Sequence, residues 1–165
     1  MLQRRNAGLA LMGGALFLPT IVRAQGAMEM RTAALSAGTA SLQSAQSGLR
    51  RASNPAVRQF AQLEAEEQMA AMEAMRMAGV TIPQTVSVPA EKMQAMQRME
   101  SMSGTEFDRA FLQSQLEGHQ ELLRIHSSIA QSGTSTEERI IGTMAVPAIK
   151  SHIATIEMLM TQQRG

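Results

Sequence analysis

Three ionisable residues stand where helical periodicity places the interior. At about 100° per residue, Val57, Phe60, Ala61, Glu64, Gln68, Ala71 and Met75 share one face of a helix. Asp108, Phe111, Leu112, Gln115, His119, Leu122 and His126 share one face of another. Ile141, Ala148, His152, Thr155 and Leu159 share one face of a third. Each apolar stripe therefore carries polar groups at its middle: Glu64 and Gln68, then Gln115 and His119, then His152. A buried polar group without a partner costs about 1–3 kcal/mol, so the economical arrangement is one mutually bonded network of these five. Glu64, His119 and His152 also form a set that zinc or non-haem iron accepts, two imidazoles and a carboxylate. The alternative is a satisfied hydrogen-bond network that fixes helix register. His126, one heptad beyond His119, is expected at an end of the structure and partly solvated.

A second constellation is made of thioethers. Met69, Met72 and Met75 follow one another at three-residue spacing, and so do Met93, Met96, Met99 and Met102; the chain has 15 Met in all. Thioether sulfur suits Cu(I) or Ag(I), and residues three apart on a helix lie about 5–6 Å apart at Cβ. A strict three-residue step nevertheless drifts by about 60° each time, so Met93 and Met102 face opposite sides. No His lies within either run. The other readings are core packing, which Met suits in a chain with four Phe and no Trp or Tyr, and reversible scavenging of oxidants.

The elements that must position these residues are helical. Ala, Gln, Met, Glu and Leu dominate, all good helix formers, and no stretch alternates as a strand would. A rather polar, Ala/Ser-rich helix is expected over 27–52. Ser53 or Asn54 then caps a second helix that opens with Pro55 and runs to Ala78, stopped by Gly79. The Pro-punctuated segment 80–89 leads to a short helix over about 90–102. A third long helix, capped by Ser103 or Thr105, runs to about Gln131. Ser135 and Glu138 form a capping box for a last helix over about 136–162, which Pro147 should kink or relieve of one hydrogen bond. Two tight joins and one long connection describe an all-α, ferritin-like four-helix bundle with a long second-to-third crossover containing the short helix.

The N-terminus reads as a targeting segment. Arg4 and Arg5 precede an apolar run from Ala7 to Leu18, then Pro19 and the small-residue pattern Val22-Arg23-Ala24. That is the pattern of a secretory signal peptide over 1–24, with one bundle domain over 25–165. The expected location is periplasmic. Removing Arg4, Arg5 and Arg23 from the 15 basic residues leaves 12 against 14 acidic, a net charge of −2. A mildly acidic chain without stacking platforms is unsuited to nucleic acid. No segment of the mature chain is apolar for long enough to span a bilayer. With no Cys, stability must come from packing.

Catalysis has no sequence support. There is no Gly-rich phosphate loop, no Ser/His/Asp context and no His-Glu-x-x-His; Glu66-Glu67 and Glu137-Glu138 read as solvated faces or helix-start charges. The di-iron pattern is absent too, since Leu116 and Ile149 stand three residues before His119 and His152, and the first helix offers only Glu29. No cofactor is expected. The leading reading is a non-enzymatic, exported protein acting on a protein partner or in envelope stress. The competing reading is a metal-binding protein, with either a Glu64/His119/His152 centre or Cu(I) on the methionines.

The phrases "NPAVRQFAQLEAEEQ" (54–68), "GTEFDRAFLQSQLEGHQELLRIH" (104–126) and "VPAIKSHIATIEML" (146–159) resemble a bacterial family known as domain of unknown function 4142. Its members are exported ferritin-like helical proteins, often described as outer-membrane proteins. The resemblance implies that fold and export, and no activity; nothing in this chain carries the outer-membrane description. Many members have Asp-His where this chain has Glu67-Gln68, which removes one metal-ligand histidine here.

Overall fold

The computed structural model describes residues 18–163. Most of the expected signal segment, 1–17, lies outside the described residues. The described chain is all-helical, with five helices and no strand: α1 (Leu18–Arg51), α2 (Pro55–Met77), α3 (Ala90–Glu100), α4 (Gly104–Ser132) and α5 (Thr136–Gln162). These match the expected elements except that α1 already runs from Leu18 and α3 stops two residues earlier. None of the described helices is long and apolar enough to cross a membrane.

Local chemistry sets the boundaries. Asn54 caps α2, its side-chain oxygen accepting from the Ala56 N–H at 2.8 Å, with Pro55 in the first turn. At the other end Gly79 takes φ +77°, which lets the Gly79 N–H reach the Arg76 carbonyl and the Val80 N–H reach the Met75 carbonyl. That pair of bonds is a Schellman stop. The Ser135–Glu138 capping box opens α5 with both reciprocal bonds present. α5 continues through Pro147, which has no N–H to give the Thr143 carbonyl one turn back.

Four long helices enclose the core, with α4 against α5, α1 against α2 and α4, and α2 touching α5. Cross-contacts give the directions. Ser41 and Gly48 of α1 meet Glu64 and Ala61 of α2, so those helices are antiparallel. Gly48 and Ser41 also meet Phe111 and Gln115 of α4, again antiparallel. Arg109 and His119 of α4 meet Gln163 and His152 at and within α5, antiparallel once more. α3 lies against α4 and α1, tied by a Lys92–Glu121 ion pair, and the Ser36 hydroxyl holds the Ser87 carbonyl at 2.8 Å.

The polar look of α1 is deceptive. Ala34, Ala37, Ala40, Ser41, Ser44, Ala45, Ser47 and Gly48 are all buried, a stripe of small side chains that lets α1 approach two neighbours at once. A Cβ built on Gly48 would stand 2.7 Å from the Phe111 ring and 2.9 Å from the Ala61 Cβ. Around that contact lies the main core, Ala52, Val57, Phe60, Ala61, Met99, Phe107, Phe111, Leu112, Ile156 and Leu159. In α5 the buried stripe is Gly142, Ile149, Ile156 and Leu159; Ala148 and Thr155, expected inside, are half-buried. The inward face is therefore turned by one residue from the expected one, because Gly142 lets α5 lie almost on the α4 backbone, where a Cβ would meet the Ala130 nitrogen at 2.7 Å.

Asp108 clamps the α1–α2 join. Its carboxylate, 1% exposed, accepts from the Ser53 and Asn54 N–H groups, both at 2.9 Å, and from the Ser53 hydroxyl at 2.5 Å. Losing it breaks these three part-buried hydrogen bonds, each contributing about 0.5–1.5 kcal/mol net. Asp108→Ala should lower the unfolding free energy by about 3 kcal/mol in urea titration, and Gly48→Val by about 2 kcal/mol through overpacking. Unchanged midpoints would refute both accounts.

Candidate metal centre

The three candidate ligands arrive from three different helices. Glu64 follows one turn after Phe60 on α2, His119 one turn after Gln115 on α4, and His152 is on α5; Ser41 of α1 completes the circle. Glu64 is fully buried and His119 is 1% exposed, while the His152 side chain is 19% exposed. Phe60 walls the site, its ring centroid 6.2 Å from that of His119 and 5.8 Å from that of His152.

Three atoms form a small triangle. Glu64 Oε2 lies 3.1 Å from His119 Nε2 and 3.0 Å from His152 Nδ1, and the two nitrogens are 3.2 Å apart. Ligand bonds to a first-row cation are about 2.0–2.2 Å. Neighbouring ligands on one tetrahedral or octahedral ion therefore stand about 3.0–3.5 Å apart. The triangle has the dimensions of one face of such a coordination sphere.

The outward-facing atoms are all spoken for. His119 Nδ1 lies 2.8 Å from the Gln115 carbonyl, an oxygen that can only accept, so Nδ1 carries the proton. In the neutral ring Nε2 then turns a lone pair into the triangle. His152 Nε2 lies 3.1 Å from Glu67 Oε2, so it donates outward in the same way. The other Glu64 oxygen accepts from Ser41 Oγ at 2.7 Å and from Gln68 Nε2 at 3.0 Å. Gln115 in turn meets Ser41, the hydroxyl oxygen standing 3.1 Å from Gln115 Oε1. All five residues of the expected network are thus brought together, and Glu67 and Ser41 join them. Glu67 was expected as a solvated face and does have an exposed side chain; one oxygen nevertheless serves His152.

Without a metal, a proton fills the triangle. His152 Nδ1–H is shared between Glu64 and His119. Hydrogen bonds to Glu64 and then Glu67 favour the imidazolium over the opposing effect of burial, raising His152 from 6.5 to about 10. Burial alone would raise Glu64; the hydrogen bonds from His119, His152 and Ser41 outweigh it and hold the carboxyl well below its usual range. A cation entering the triangle must displace the shared proton.

The methionines do not form one cluster. Met99 is buried in the main core with Met102 packed beside it; Met69 and Met93 are exposed, and Met72, Met75 and Met96 half-buried. The expectation that His126 is partly solvated is corrected: it is 7% exposed, enclosed because Gly142 brings α5 against its carbonyl. Burial lowers its pKa, and its Nδ1 has no hydrogen-bond partner.

The family described as domain of unknown function (DUF4142) matches residues 23–159. The chain belongs to the DUF4142 family. No curated protein and no solved structure matches it. The matched residues include the Ser53-Asn54-Pro55 join that Asp108 clamps and all three residues of the triangle.

The raised pKa of His152 has a signed consequence. Its folded value lies above its unfolded one, so its contribution to stability is complete below about pH 6.5 and is lost as the pH rises towards 10. Denaturant titrations of metal-free protein should show unfolding free energy falling across that window. His152→Gln should flatten the fall; a variant slope equal to that of the native chain would contradict the assignment.

Proposed function

We propose that this chain is an exported, non-catalytic metal-binding protein built on a ferritin-like four-helix bundle. Glu64, His119 and His152 are the ligands of one divalent cation of the zinc or iron(II) class. One observation carries the proposal: both histidines give their outward N–H to an acceptor, one to a backbone carbonyl and one to a carboxylate. Metal-binding histidines are held in this way, which fixes the ring and directs the remaining lone pair at the ion.

The helix directions support the fold. α1 is antiparallel to α2 and to α4, and α4 to α5, so α2 and α4 run the same way. The connection bearing α3 must then return along the whole length, as the ferritin-like crossover does. The polar shell supports a single ion over a pair. A two-metal carboxylate centre takes a carboxylate from every helix and two Glu-x-x-His pairs. Here α1 contributes Ser41, and Gln68 follows Glu64 by one turn; both direct their donors at the Glu64 oxygen that faces away from the triangle.

Retention of the ion, not turnover, is the role that fits. Glu64 and His119 are sealed, and the partly exposed His152 with Glu67 forms the rim through which an ion would pass. Export rests on the N-terminal pattern of Arg4, Arg5 and the apolar run to Leu18. An interaction role would rest on the exposed Leu63, Met69, Met77 and Met93, but single exposed apolar side chains are common on protein surfaces.

Elemental analysis and native mass spectrometry of the full processed chain should find one zinc or iron per molecule. His119→Ala should abolish stoichiometric binding. Glu67→Gln, which removes only the outer partner of His152, should weaken it by about 10- to 100-fold. Absence of metal at micromolar free Zn2+ and Fe2+, or binding indifferent to His119→Ala, would overturn the proposal.

A further inference from the structure

A second histidine site lies about two helical turns beyond the first. His126 of α4 is nine-tenths buried with its Nδ1 unpartnered. Two adjoining cavities, of about 30 and 60 Å³, share it as a wall together with Met75 of α2. Met30 of α1 lines the smaller cavity and Met72 of α2 the larger. All three methionines are half-buried. The histidine with the orphaned nitrogen therefore lines space whose soft donors are thioethers supplied by two other helices.

Water is a poor answer to that nitrogen. A buried water needs two to four polar partners, and the smaller cavity is walled chiefly by Ala34, Val80, Ile129 and Ile141 beside the methionines. The charged groups at its edge, Arg31 and Glu138, are paired with each other, Arg31 Nε donating to Glu138 at 3.1 Å. Their net charge is nil, so they neither repel nor bind a cation strongly. Burial keeps the imidazole neutral, the form that ligates. Imidazole and thioether together suit a soft monovalent ion and suit hard or borderline divalent ions poorly.

We propose that His126, Met75, Met72 and Met30 form a second site, for a soft monovalent cation of the copper(I) class. Met72 and Met75 are one turn apart on α2 and so present their sulfurs on the same side. The Schellman stop at Gly79 folds Val80 back over Met75 and closes the end of the helix against the cavity. The ion enters as Cu(I) and is held without change of oxidation state.

The test is anaerobic competition of the full processed chain against a chromophoric Cu(I) chelator. One equivalent of Cu(I) should be withheld. The Met72→Leu/Met75→Leu double variant, which conserves volume, should bind at least ten-fold more weakly. Glu64→Gln, which disables the first centre, should bind Cu(I) as the native chain does. No withheld Cu(I), or a double variant as tight as the native chain, would overturn the proposal. Loss in Glu64→Gln with retention in the double variant would assign the copper to the first centre and overturn it equally.

Discussion

The Glu64 carboxylate is enclosed where α1, α2, α4 and α5 meet, and it is fully buried. An ionised carboxylate in such a place is tolerable only if it is paired and every lone pair is met. Four side chains from four helices do this: Ser41, Gln68, His119 and His152. Each helix is thereby fixed in rotation and in height relative to the others. A shift of one residue in any of them would withdraw a partner from a buried charge. The polar centre thus acts as the register key of a core whose apolar layers could otherwise slide.

That key works because the helices can come close enough. α1 contributes almost no bulk, and its small side chains bring its backbone against Phe111 and Ala61. Asp108 fixes the join between α1 and α2 by taking the backbone N–H groups of Ser53 and Asn54. The large side chains come from the partners of α1, chiefly Phe60, Phe107 and Phe111, with Phe107 and Phe111 stacked and centroids 6.3 Å apart. The same kind of closeness recurs at Gly142, which brings α5 against the α4 backbone at Ala130 and His126.

Much of this was legible in the sequence because helical periodicity is strong. The faces of α2 and α4 came out as read, and Glu64, Gln68, Gln115, His119 and His152 converge as their positions required. What escaped was set by tertiary distance. Ser41 looked like one of many serines, and only proximity to Glu64 gives it a role. Glu67 looked solvated, and it is, but one oxygen reaches a histidine two helices of sequence away. The face of α5 was misjudged by one position because alanine and threonine at 148 and 155 scan like Ile149 and Ile156. His126 was expected near solvent because nothing local marks Gly142 as a point of helix contact. The methionine runs looked like one feature; the fold divides them among core, surface and cavity wall, as their drift around the helix requires.

The most direct measurement is the imidazole nitrogen spectrum of the metal-free protein by long-range proton–nitrogen NMR at neutral pH, repeated with one equivalent of Zn2+. The expected result is His119 protonated at Nδ1, and His152 protonated at both nitrogens before zinc and at Nε2 alone after it. His119 protonated at Nε2 in the metal-free protein, or a His152 spectrum that zinc leaves unchanged, would contradict the claim that the two rings aim their lone pairs at one ion beside Glu64.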